Sequence, residues 1–117
     1  MNDNCVFCKI IKSEITSEKI YESDNFIGIL DIHPAAEGHT LIIPKKHFKT
    51  ILDLPNSLGE ELLEAIKTIS LNLIDEKKAE GFNIVQSNYE SAQQEVPHLH
   101  FHIIPRKKHD GLNIRFK

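Results

Sequence analysis

Apolar residues recur along this chain with two different periods, and the changes between them predict its elements. Cys5 to Lys12 reads as a short helix, with Val6 and Ile10 four apart on one side. Two short strands follow, around Lys19 to Tyr21 and Asn25 to Leu30, separated by the turn-forming Glu22-Ser23-Asp24. A third strand is expected over His39 to Ile43, with Gly38 before it and Pro44 stopping it. The one long helix starts at the capping box Ser57-Leu58-Gly59-Glu60 and runs to about Lys78, burying Leu58, Leu62, Ile66, Ile69 and Leu73. Gly81 ends it. Phe82 to Gln86 then reads as a fourth strand, and a fifth follows the polar loop Ser87 to Glu95. Strands that are sequence neighbours with short connections pair antiparallel. The expected class is therefore α+β, a five-stranded antiparallel sheet carrying one long helix and a short N-terminal helix. No linker, repeat or low-complexity segment interrupts the pattern, so residues 1–117 read as a single domain.

The fifth strand carries the chemistry. In His98-Leu99-His100-Phe101-His102-Ile103-Ile104, histidines alternate with large apolar residues. On a strand His98, His100 and His102 share one face, while Leu99, Phe101 and Ile103 share the core face. At about 3.3 Å per residue, the outer two lie roughly 13 Å apart and the middle one about 6.6 Å from each, so the three cannot grip one small ion. A row of ring nitrogens can instead put a nucleophile at the centre and hydrogen-bond donors beside it, facing a tetrahedral phosphorus. No glycine-rich phosphate loop occurs, so any phosphate must be held by side chains.

Composition narrows the setting. A formal charge of −3 and short clusters of basic residues leave no footprint for nucleic acid. No apolar stretch approaches the roughly 20 residues of a membrane span, and the N-terminal stretch, with Asp3, Cys5 and Cys8, lacks a signal peptide's apolar region. The chain reads as cytoplasmic, with no membrane partner. Cys5-Val6-Phe7-Cys8 is a Cys-x-x-Cys pair without the βαβ context of a redox site. It reads either as half of a structural zinc site, with His47 and His98 as the other donors, or as two small core thiols.

On these residues the chain resembles the histidine triad family of nucleotide hydrolases and transferases. The run His98 to Ile104 matches the family's His-x-His-x-His-x-x signature, and the stretches Leu30 to Pro34 and Gly38 to His47 are similar to the segment from its ribose-binding Asp to its Pro-Lys-x-His ending. The resemblance implies His100 as a nucleophile that forms a nucleotidyl-histidine intermediate, with His102 and His39 donating to phosphate oxygens and His98 supporting the triad. It implies Asp31 on the ribose hydroxyls, and Phe7, Ile10, Ile15, Ile29 and Ile32 around a purine base. It also implies a structural zinc on Cys5, Cys8, His47 and His98, no organic cofactor, and a homodimer whose sheet continues across the two-fold axis. The phosphate-side loop departs from the family pattern. Many relatives carry glycines where Tyr89 and Gln93 stand, and Asn or Gln where Ser87 stands; Asn88 is one position off, Gln94 matches, and Glu95 replaces a Ser or Thr of some phosphoramidate-cleaving relatives. The tail Lys107 to Lys117 lacks the Trp-containing ending of the animal phosphoramidase branch. Nucleoside phosphoramidates and dinucleoside polyphosphates both remain as substrate classes. Two rival functions stand beside this reading: a hydrolase with catalytic zinc on His100, His102 and His39, and a module that binds nucleotides without turning them over.

Overall fold

The segments Phe26–Leu30 and Thr40–Pro44 are buried along almost their whole length, as expected of strands at the middle of a sheet covered on both faces. The structure, a computed structural model, describes residues 4–114. Its order is α1 (Val6–Ile11), β1 (Lys19–Glu22), β2 (Phe26–Leu30), β3 (Thr40–Pro44), α2 (Gly59–Asp75), β4 (Gly81–Val85) and β5 (Phe101–Arg106). The expected α+β architecture is present: one antiparallel sheet of five strands in the order β1-β2-β3-β5-β4. Pairing of sequence neighbours holds across β1, β2 and β3, and again for β4 with β5, but not between β3 and β4. There α2 carries the chain over one face to the far edge, and β5 returns into the gap.

Two apolar layers hold the sheet. On one face Phe26, Ile42, Leu99, Phe101 and Ile103 pack against Leu62, Ala65, Ile69 and Leu73 of α2. On the other, Ile27, Ile29, Leu41 and Ile43 pack against Cys5, Phe7 and Cys8 of the α1 segment. The alternation around β5 thus sorts as its period requires, with Leu99, Phe101 and Ile103 toward α2 and the histidines on the α1 side.

Several boundaries move for identifiable reasons. Ser57 forms no capping box. It lies in a 3-10 turn over Asn56–Leu58, and α2 follows without a side-chain cap. The reciprocal capping box belongs to Thr50 and Asp53 upstream. The long helix ends at Asp75 instead of about Lys78, because Lys77 turns the chain at a φ of 61°, and Gly81 opens β4. Pro44 does not stop β3 but belongs to it, opposite Phe26. The histidine run is only partly strand: the Leu99 N–H donates to the Phe48 carbonyl at 2.7 Å, and the ladder begins at Phe101. Of the C-terminal tail, residues 115–117 lie outside the described residues.

Candidate active site

Around β5 the fold brings together the ends of β2 and β3, the α1 segment and the loop before the histidines. They enclose a cleft of about 490 Å³. Phe7, Ile10, Ile15, Ile29 and Ile32 form its apolar end, Asp31 and His33 lie on its rim, and His100 and His102 line it with Ser87 and Glu95. Val6, Thr16 and Ser17 also line it and were not singled out as site residues from sequence, and so does Gln93, named there only for standing where relatives carry glycine. Thr16 and Ser17 fall between two elements, where no period exists to read. Asn88 and Gln94 do not line the cleft. Asn88 accepts from the Ile51 N–H at 2.9 Å and exchanges hydrogen bonds with Gln86. Gln94 donates to the carbonyls of Lys49 and Val96 and accepts from the Tyr89 N–H. Their amides hold the loop's shape.

The triad histidines have three different surroundings. His98 is fully buried. Its Nε2–H donates to the Pro44 carbonyl at 2.9 Å, which leaves Nδ1 as a lone pair aimed at Cys5 Sγ, 3.3 Å away, and Cys8 Sγ, 3.5 Å away. His100 places Nδ1 2.8 Å from the His98 carbonyl. A carbonyl only accepts, so the proton sits on Nδ1 and Nε2 carries the lone pair. Nε2 has no partner among the described residues, and the ring packs edge-on against Phe7 with centroids 5.0 Å apart. His102 pairs across β5 with Leu41 and Val85. Its Nδ1 lies 2.9 Å from His39 Nε2, and His39 Nδ1 accepts from the Ala35 N–H at 3.0 Å. Because that backbone group can only donate, the proton of neutral His39 is on Nε2 and points at His102. His102 then accepts on Nδ1 and keeps its own N–H on Nε2. One ring presents a bare nitrogen and its neighbour a donor.

Burial keeps these rings uncharged. It pushes His100 and His39 below the ordinary histidine range, and it lowers His98 and His102 to about 4, helped in His102 by repulsion from His100 and His39. The pull of the Asp31 carboxylate on His39 opposes this without reversing it. Asp31 itself is fixed by the His33 N–H on Oδ1 at 2.9 Å and lies 3.5 Å from His39 through Oδ2.

A second cluster lies behind the cleft. Ligand atoms of Cys5, Cys8, His47 and His98 are all within 4.8 Å of one another. Cys8 Sγ is 3.2 Å from His47 Nδ1. A tetrahedral zinc with bonds of about 2.0–2.3 Å has ligand-to-ligand edges of about 3.3–3.8 Å. Of the observed sulfur-to-nitrogen spacings, 3.3 and 3.5 Å fall within those edges and 3.2 Å lies just below them. The outward Nε2–H of His98 on a carbonyl is the arrangement that orients a metal-bound imidazole. The donor set fits a closed structural site. A second group able to approach one ion is Asp31, His39 and His102. It omits His100, so the catalytic zinc on His100, His102 and His39 is not the set that the geometry gathers, and the 2.9 Å contact between His39 and His102 is that of an ordinary hydrogen bond.

A five-stranded antiparallel sheet, a cleft lined by imidazoles and a Cys₂His₂ cluster together make one small α+β domain. Residues 12–109 match the HIT domain, and the chain belongs to the HIT family. It is 46% identical over 103 residues to the adenosine 5'-monophosphoramidase HNT1 of Saccharomyces cerevisiae, spanning 88% of this chain and 63% of that protein. A crystal structure of a protein from Streptococcus mutans superposes with a TM-score of 0.93 at 39% identity, covering 100% of this chain and 74% of that one. A Zn-bound histidine triad family protein from Mycobacterium smegmatis superposes at 0.88 with 36% identity, covering 97% of this chain and 83% of that one.

Proposed function

We propose that this HIT-family hydrolase cleaves, or transfers from, the α-phosphate of nucleoside phosphoramidates or dinucleoside polyphosphates through a covalent nucleotidyl-His100 intermediate. The observation that carries the reading is the His100 tautomer, with Nδ1–H on the His98 carbonyl and Nε2 free at the cleft. The phosphoramidase activity named for the yeast relative supports the substrate class. In the first step the Nε2 lone pair bonds to phosphorus, and the bond to the leaving nitrogen or oxygen breaks with its electron pair. A leaving amine takes a proton from water. In the second step water adds to phosphorus, the Nε2 bond returns its pair to the ring, and a proton goes to solvent. The net reaction consumes one water and releases a nucleoside monophosphate.

His102 Nε2–H donates to a phosphoryl oxygen as charge shifts, and the His39 N–H keeps His102 in that tautomer. Asp31 accepts both ribose hydroxyls, and the apolar end of the cleft takes a purine. Zinc, when bound by Cys5, Cys8, His47 and His98, ties the N-terminal segment to the chain just before His100 and takes no part in the chemistry. Four apolar side chains that this domain leaves exposed, Leu63, Ile74, Phe82 and Ile84, support a homodimer through α2 and the edge strand β4. Two buried free cysteines suit a reducing compartment, the cytoplasm. His100→Asn tests the route: turnover of an adenosine 5'-phosphoramidate falls at least about a thousandfold while AMP still binds. Retained turnover refutes the covalent step, and tight binding by wild type with no product at all marks a non-catalytic nucleotide module instead.

A further inference from the structure

Phe7 stands between the two cysteines of the second cluster and faces the cleft. Cys5 caps α1, its Sγ accepting from the Cys8 N–H at 3.4 Å, so the two thiols flank Phe7 along the chain. The Phe7 ring lines the cleft, packs edge-on against His100 with centroids 5.0 Å apart, and meets the His98 ring edge-on at 5.8 Å. Val6 and Ile10 of the same helix line the cleft as well. One short helix and its cap therefore carry both metal donors and walls of the slot.

That helix depends on side chains for its place. Its six residues are too few to be stable alone in water. The backbone N–H groups of Lys9, Lys12, Ser13, Glu14 and Ile15 all donate within residues 5–15. It meets the sheet through packing of Cys5, Phe7 and Cys8 on Ile27, Ile29, Leu41 and Ile43, and through the thiols against His47 and His98. Where the Phe7 ring sits thus follows from where two thiols are held. His98 is placed differently, because its Nε2–H on the Pro44 carbonyl and the Leu99 N–H on the Phe48 carbonyl hold it with or without an ion. An ion at the cluster steadies α1 more than β5.

We propose that zinc at the Cys5, Cys8, His47 and His98 cluster and a nucleotide in the cleft bind cooperatively, each strengthening the other through Phe7. An ion that orders α1 sets the slot wall before the base arrives, and a base against Phe7 holds the thiols where an ion needs them. The coupling rests on the reading of the cleft as a nucleotide site. It gives the metal a role in affinity and none in the bond-breaking steps.

Two equilibrium affinities test it: that of zinc, by competition with a chromophoric chelator at rising AMP, and that of AMP, by calorimetry on zinc-loaded and zinc-free protein. AMP is expected to tighten zinc about tenfold and then plateau, and zinc to tighten AMP by the same factor, as linkage requires. Phe7→Leu, which keeps an apolar side chain and loses the ring, brings both factors below about threefold. Ile32→Ala, in the cleft but outside the cluster, weakens AMP yet keeps the wild-type factor. Equal affinities with and without the other ligand, a factor undiminished in Phe7→Leu, or one lost equally in Ile32→Ala overturns the coupling and leaves the nucleotide reading intact. A factor that climbs with AMP and never levels marks a zinc-free chain unable to bind AMP, so that zinc serves folding alone, and overturns it too. Zinc-loaded wild type that binds no AMP refutes the nucleotide reading and the coupling with it.

Discussion

Backbone groups set the protons of the site's histidines, directly for His98, His100 and His39 and through His39 for His102. The His98 carbonyl fixes the His100 proton on Nδ1, the Ala35 N–H fixes the His39 proton on Nε2, and His39 in turn fixes His102. Burial then keeps the rings neutral. In the proposed route the neutral His100 ring attacks, so the acid limb of kcat/KM is expected below the ordinary histidine pKa of about 6.5. A limb centred at 6.5 or above in a pH series contradicts this. The same shifts act on stability. Between about pH 6.5 and 4, unfolded chain binds protons at the His39 and His102 positions that the folded protein resists, so stability falls as pH drops through that window. Urea midpoints measured across it should decline, and His39→Gln should flatten the decline. The alternation of three histidines was readable in the sequence because a period of two needs no tertiary information. The tautomers of His98 and His102 were not, since Pro44 and Ala35, which set them directly or through His39, lie far from those rings along the chain.

At the scale of elements, the α1 segment and the chain before β5 meet through the Cys5, Cys8, His47 and His98 cluster. Cys5→Ser is expected to remove the zinc, about one ion per chain, and to lower Tm by about 5 °C or more, with activity per folded molecule reduced less. Metal analysis with thermal melts checks it. A variant as stable as wild type but inactive points to a catalytic metal. On the other face, α2 lies so close to β2 that a Cβ at Gly28 would stand 2.9 Å from Ile69 Cδ1 and 3.0 Å from Tyr21 Cβ. Gly28→Val should cost about 1–3 kcal/mol in denaturant unfolding, and no loss would contradict the tight packing. All seven regular elements were legible from period and turn residues. Their ends were less so: the Ser57 capping signal was real in sequence but lost to the Thr50–Asp53 box and a 3-10 turn. Strand order was also hidden, because the crossover by α2 that sends β4 to the edge leaves no local mark.

For the whole molecule, the exposed apolar residues on α2 and β4 set the expected assembly. Phe82 and Ile84 alternate outward along an edge strand, with Leu63 and Ile74 exposed on the helix. Ile84→Lys is expected to convert a dimer to a monomer in sedimentation equilibrium, and wild type that sediments as a monomer contradicts the assembly. No helix among the described residues is long and apolar enough to cross a membrane. The central claim concerns the intact protein caught during turnover. Mass spectrometry of enzyme quenched with adenosine 5'-phosphoramidate should show one added adenylyl group, localised by fragmentation to His100 and absent from His100→Asn. Steady turnover with no adduct, or an adduct on another residue, contradicts it.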